Sequence, residues 1–143
     1  MISSSLYDNN FISHALKKRV QDMRSFSRLF ILLWAVSIAA VCYLSLTPVI
    51  EFPVDFWNAD LVYHFLAYSY LSVLPFLAFQ IPKSALMAAI LMIPLGISLE
   101  FAQLWVPGRI FSVADLSANI LGASCGAVCG KYLRPNFREL CSR

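Results

Sequence analysis

Charge is what this sequence has least of: 13% of its residues are charged, against 59% hydrophobic, and the mean hydropathy is +0.70. A soluble domain carries roughly 25% charged and about 45–50% apolar residues. A small domain also buries only about two-thirds of its surface, so the apolar surplus cannot be hidden in a core and lipid must be its solvent. The chain has no internal repeat and no low-complexity linker, which leaves room for one membrane domain in 143 residues. The four cysteines form no framework: Cys42, Cys125 and Cys129 lie in apolar runs and Cys141 in a basic tail. Cys125 and Cys129 share a helix face but have no companion Cys or His at zinc spacing, so they read as small buried packing residues. No nucleophile motif or metal signature is present, and neither a cofactor nor a metal is expected. No small-x-small cleavage site follows the first apolar run, and Val41 before Cys42 spoils a lipoprotein site, so that run is expected to stay as an uncleaved span.

Four apolar runs are present, at residues 29–47, 61–79, 84–105 and 114–133. Each is close to the ~20 helical residues that cross the hydrocarbon core of a bilayer. Pro75 and Pro94 fall inside runs, where neighbouring helices can satisfy the carbonyls they free. Lys131, Arg134 and Pro135 are expected to stop the last helix near residue 133. The fold class is therefore all-α, a polytopic membrane protein with four transmembrane helices. It divides into a basic N-terminal segment (1–28), a four-helix membrane domain (29–133) and a short basic tail (134–143). In the N-terminal segment Ile12, Leu16, Val20 and Met23 recur at helical spacing among Lys17, Lys18, Arg19 and Arg24. That pattern predicts an amphipathic helix on the inner membrane surface. Ser3, Ser4, Ser5, Asn9 and Asn10 predict a loose beginning.

Of the cations, only Lys83 and Arg109 lie away from the two ends. Clusters at both ends read as a positive-inside signal rather than as a nucleic-acid surface. Residues 48–60 hold Glu51, Asp55 and Asp60 without a Lys or Arg, whereas the link after the second run holds Lys83. Both termini are thereby placed in the cytoplasm, with loops 48–60 and 106–113 outside.

That topology gathers the intramembrane polar residues into one outer layer. Asp60, His64 and Tyr68 open the second span at four-residue spacing, and Glu100 and Gln103 close the third. Arg109 sits in the outer loop, and Ser112, Asp115 and Asn119 open the fourth span. A charge at the bilayer centre costs at least ~2.5–3.5 kcal/mol, so Glu100 must be paired, hydrated in a cavity or protonated. Plainer readings stand beside these. Ser112 and Asp115 fit a capping box, and Asp60 suits a helix N-terminus. Asn119 and Gln103 can be interhelical glue, and Tyr68 can be packing. His64 can be a satisfied core residue. Arg109 lies against the charge bias, and an anion, either Glu100 or a phosphate, would explain it. Gly122, Gly126 and Gly130 form a stripe along the last span that suits close helix packing within one chain.

Five pieces, in order, carry a family pattern: Ser45-Leu46-Thr47-Pro48, Asp60-x-x-x-His64-Phe65-x-Ala67-Tyr68, Glu100-x-x-Gln103, Pro107-Gly108-Arg109-x-x-Ser112-x-x-Asp115 and Asn119-x-x-Gly122. Together they resemble the VanZ-like family of small bacterial membrane proteins, over roughly Ser45 to Gly130. Members commonly place a lysine shortly before the histidine of span two, and here Asp60-Leu61-Val62-Tyr63 holds none. The resemblance implies a four-helix domain in a bacterial inner membrane, in a family named for a protein that lowers susceptibility to the antibiotic teicoplanin. It supplies topology and candidate residues, and no reaction.

Two readings of function follow. In the first, an outward-facing polar pocket binds or processes an anionic lipid or cell-envelope precursor. Arg109 would hold a phosphate, and the catalytic groups would be Glu100, as acid or base, and His64, oriented by Asp60 one turn earlier. Gln103, Asp115 and Asn119 would fix the substrate or the catalytic groups. A divalent cation on His64, Glu100 and Asp115 is a lesser variant. In the second, the same polar groups lock four helices into a non-catalytic scaffold or accessory subunit, whose N-terminal segment meets a protein partner or the anionic leaflet. Transport ranks last, because the inner half lacks polar steps. Whether the chain is an enzyme stays open at this point.

Overall fold

Apolar helices of this length must satisfy all their backbone groups internally in lipid, and the chain is helical over most of its described length. The computed structural model describes residues 3–48 and 59–142, with side chains described for 17, 18, 20–48 and 59–139. Glu51, Asp55 and Arg143, and the side chains of Ile12, Leu16, Arg19 and Cys141, lie outside those residues. The order is α1 (Ser3–Ser45), α2 (Ala59–Ala78), α3 (Pro82–Ile90), α4 (Met92–Ala102), a 3-10 turn (Gln103–Trp105) and α5 (Val113–Ser142). Four stretches are long and apolar enough to cross a membrane: Val20–Ser45, Ala59–Ala78, Pro82–Trp105 and Val113–Glu139. The chain is a multi-pass, all-α membrane protein.

The main seam joins α2 to α5. A Cβ added at Gly122 would strike the Phe65 carbonyl oxygen, one at Gly126 the Ser69 carbonyl oxygen, and one at Gly130 the Phe76 ring. Backbone therefore lies on backbone, as small residues allow where lipid removes the hydrophobic drive between helices. Ser69 Oγ donates across the same seam to the Gly122 carbonyl, at 3.0 Å. With the glycines turned onto α2, Cys125 and Cys129 fall on the exposed face of α5. The sequence placed them in the packing, and the glycine stripe takes that place instead.

Helix α1 packs on the rest through Trp34, Ile38 and Val41, which rest against the core of Tyr68, Leu71, Met92 and Ala123. Trp34 also resolves the problem set by Pro75. Proline has no N–H for the carbonyl four residues back, which here belongs to Leu71. Trp34 Nε1 donates to that oxygen at 2.9 Å. Trp34→Phe is therefore expected to cost about 1–3 kcal/mol, the penalty of a buried acceptor left unmade. In a Pro75→Ala background, where residue 75 regains its N–H, the same change should cost much less. Thermal unfolding of the four proteins in detergent measures the coupling, and equal costs in both backgrounds would contradict this pairing.

Three boundaries differ from the sequence reading. Residues 3–28, read as a separate surface helix with a loose start, are helical from Ser3 and continuous with the first span. The third span is two helices joined at Leu91, one turn before Pro94, whose missing N–H leaves the Ile90 carbonyl without its helical donor. The fourth helix does not stop at residue 133 but runs through Pro135 to Ser142. There Arg134 and Arg138 donate to the Phe79 and Gln80 carbonyls at the end of α2, which holds the extra turns of α5 against the bundle.

Candidate functional site

The site is built where α1 ends, α2 begins and the chain passes from α4 to α5. Helix α1 has no basic residue in its last turn, so its C-terminal carbonyls need donors from elsewhere. Gln103 Nε2 donates to the Ser45 carbonyl at 3.1 Å. Arg109 Nε donates to the Thr47 carbonyl at 3.3 Å and Nη2 to the Leu44 carbonyl at 3.1 Å. A cation is also favoured there by the negative end of the helix dipole. Gly108, with φ of 80°, makes the turn that brings Arg109 to this position. The sequence offered Glu100 or a phosphate as the reason for Arg109, and the C-terminus of α1 is its partner within the chain.

Glu100 is buried, with 1% of its surface exposed. Its Oε1 accepts the Ser112 backbone N–H at 2.8 Å. Ser112 Oγ in turn accepts the Asp115 N–H at 3.2 Å. The capping box at α5 is therefore divided between two helices. Its forward bond is the expected one, but the return bond to the Ser112 N–H comes from Glu100 and not from Asp115. Asp115, His64 and Arg109 lie within electrostatic range of Glu100. Among the described residues no ion pair joins Glu100 to Arg109.

His64 Nδ1 lies 3.0 Å from Asn119 Oδ1. An amide oxygen only accepts, so Nδ1 carries the hydrogen of this bond and Nε2 is left for another partner. The expected orienting group, Asp60, is exposed one turn earlier and is not the partner. Gly96 makes this arrangement possible: a Cβ there would lie 2.8 Å from the Tyr68 ring and 3.2 Å from Asn119 Cβ.

Between these anchors lies a cleft of about 240 Å³. Its polar lining is Ser45, Asp60, Tyr63, His64, Tyr68, Gln103 and Arg109, and its apolar lining comes from Val41, Leu44 and Ala67. Of the candidate residues, Asp60, His64, Gln103 and Arg109 line it, and Asn119 stands behind His64. Glu100 and Asp115 act on the loop and the start of α5 beside it. Sequence reading missed Tyr63, whose place beside His64 gave no period of its own. It also assigned Tyr68 to packing alone, where the ring fills the core and closes the cleft. Among the described residues no group of three His, Cys, Asp or Glu comes together for a metal ion, so His64, Glu100 and Asp115 do not assemble as a cation site.

A family model described as VanZ/LLP1 matches residues 11–134. No curated protein and no solved structure matches the chain.

Proposed function

The chain belongs to the VanZ/LLP1 family, and we propose that its cleft binds the phosphate group of an anionic lipid or lipid-linked envelope precursor. The observation that carries this reading is the composition of one small cavity. Arg109 and His64, whose Nε2 is not used by Asn119, share it with an apolar wall from α1. A guanidinium has five N–H donors, and the two bonds to α1 leave others for an anion. A soluble anion has no use for Val41 and Leu44, whereas a lipid places its chain on them and its head at Arg109. Asn119 holds His64 in place, Gln103 ties down the end of α1 to which Arg109 is bound, Asp60 lines the cleft, and Glu100 and Asp115 set the loop that carries Arg109. Glu100 touches the site through Ser112, so the acid–base part of any reaction falls on His64.

In this reading the protein sits in a bacterial inner membrane with both termini cytoplasmic and the cleft facing outward. A single cysteine placed beside Arg109 in a cysteine-free variant should react with an impermeant thiol reagent in intact cells. Protection there, with labelling at the termini, would reverse the orientation.

The scaffold reading has an observation of its own: Arg109, Gln103 and Glu100 all spend bonds on tying helices together. Titration of the purified full chain with a short-chain phosphatidic acid separates the two. Binding should weaken about tenfold or more in His64→Ala, because an imidazolium that gives Nδ1–H to Asn119 gives Nε2–H to the phosphate, and a hydrogen bond to a charged group is worth about 1.5–3 kcal/mol. The fold should survive, since neither α1 nor the loop is anchored by His64. Equal affinity in wild type and variant, or none in either, leaves the scaffold reading.

A further inference from the structure

The other end of the bundle carries a second arrangement of cations that the cleft does not use. Arg134, only 8% exposed, donates Nη2 to the carbonyls of Phe79, at 3.2 Å, and Gln80. Arg138 donates its own Nη2 to the same two oxygens, at 3.1 and 2.7 Å. Two guanidiniums that share one pair of acceptors must lie side by side. The C-terminus of α2 supplies roughly half a negative charge, against two full positive ones. Arg134 Nη1 is buried and has no hydrogen-bond partner among the described residues. Arg134 thus adds its charge from behind, while Arg138 is exposed and its two bonds occupy one of its three nitrogens.

Arg138 also lines a shallow cleft of about 70 Å³ between α1 and the ends of α2 and α5. Its other walls include Met23, Phe26, Leu77 and Phe137. Phe137 is fixed there by edge-to-face contact with Phe30, ring centres 5.2 Å apart. A paired cation beside an apolar slot at the end of a membrane helix matches a phospholipid in both its parts. A free phosphate would use only the cation.

We propose that Arg134 and Arg138 form a binding site for the phosphate of an anionic phospholipid, on the face of the protein that carries its basic ends. The phosphate meets Arg138 directly, and the upper acyl chain lies over Phe26 and Phe137. The site is independent of the cleft beside Arg109, which lies at the opposite end of α2.

The test is thermal unfolding of the full chain in a neutral detergent, titrated with dihexanoyl phosphatidylglycerol, dihexanoyl phosphatidylcholine or inorganic phosphate. Phosphatidylglycerol should raise the midpoint, and the other two should not at equal concentration. Arg138→Gln should weaken the phosphatidylglycerol response about tenfold or more, because a charge-assisted contact is lost. Arg28→Gln, which removes a surface cation from the same end, should change it by no more than about twofold. Since the cleft at the other end keeps its residues in both variants, a loss confined to Arg138→Gln belongs to this site. Should that variant fail to fold, Arg138→Lys keeps the charge but not the forked geometry and should bind severalfold more weakly. An undiminished response in either Arg138 variant, an equal response to phosphatidylcholine, or full stabilisation by inorganic phosphate alone would overturn the proposal.

Discussion

Glu100→Ala is expected to destabilise the protein by about 3 kcal/mol or more, and Glu100→Gln by about 1 kcal/mol. The difference lies in one atom. Oε1 accepts the Ser112 N–H at 2.8 Å in a place with 1% exposure. Alanine leaves that N–H orphaned, at about 1–3 kcal/mol, and adds a cavity where the side chain stood. Glutamine keeps an oxygen in the same position. A simple Glu100–Arg109 ion pair would make the double change to glutamine recover what the single change loses. The two side chains have separate anchors, Ser112 for one and the end of α1 for the other. Arg109→Gln added to Glu100→Gln should therefore add a cost. Thermal midpoints in detergent for the single and double variants measure this, and recovery in the double variant would mean that the carboxylate and the guanidinium are directly paired.

Gly126→Val is expected to leave no folded protein to purify, and Gly126→Ala to cost about 3 kcal/mol, at the upper end of what overpacking does. A side-chain clash can be relieved by a rotamer, but the neighbour here is the Ser69 carbonyl oxygen of α2. Relief requires α2 and α5 to move apart along the main seam of the molecule. Gly96→Ala makes an instructive contrast. Its neighbours are the edge of the Tyr68 ring and Asn119 Cβ, which can give by a few tenths of an ångström. That variant should fold yet disturb the Asn119–His64 bond. Yield and thermal midpoint rank the three proteins, and a Gly126→Ala as stable as wild type would show that the seam is looser than its geometry implies.

The number of spans and most of the polar residues that line the cleft were legible because both follow from the cost of polarity in lipid. About twenty apolar residues per run give a span, and a Glu, an Arg or a His near such a run needs a reason to be there. Partners were less legible than positions. Asp60 and His64 share a helix face by spacing, but the bond to His64 comes from Asn119, 55 residues away. Sequence spacing carries no record of how α5 lies on α2. The capping box shows the same limit. Ser112-x-x-Asp115 gives the local half of the motif, and the other half arrives from Glu100 by tertiary packing. The end of α5 was misjudged for a related reason. Pro135 and Arg134 read as a stop by local rules, while two arginines bound to the end of α2 reward the helix for continuing. Pro75 lies between these cases: the need for a donor to the Leu71 carbonyl was foreseeable, and its source in Trp34 was not.

The most direct test of the cleft beside Arg109 is a structure of the full chain in bilayer lipid containing phosphatidic acid. The expected result is a lipid phosphate about 2.7–2.9 Å from an Arg109 nitrogen, the distance of a charge-assisted bond. Its chain should lie against Val41 and Leu44, and His64 should keep its bond to Asn119. A cleft closed by its own side chains, with Arg109 bound only to the Leu44 and Thr47 carbonyls, would contradict lipid binding there.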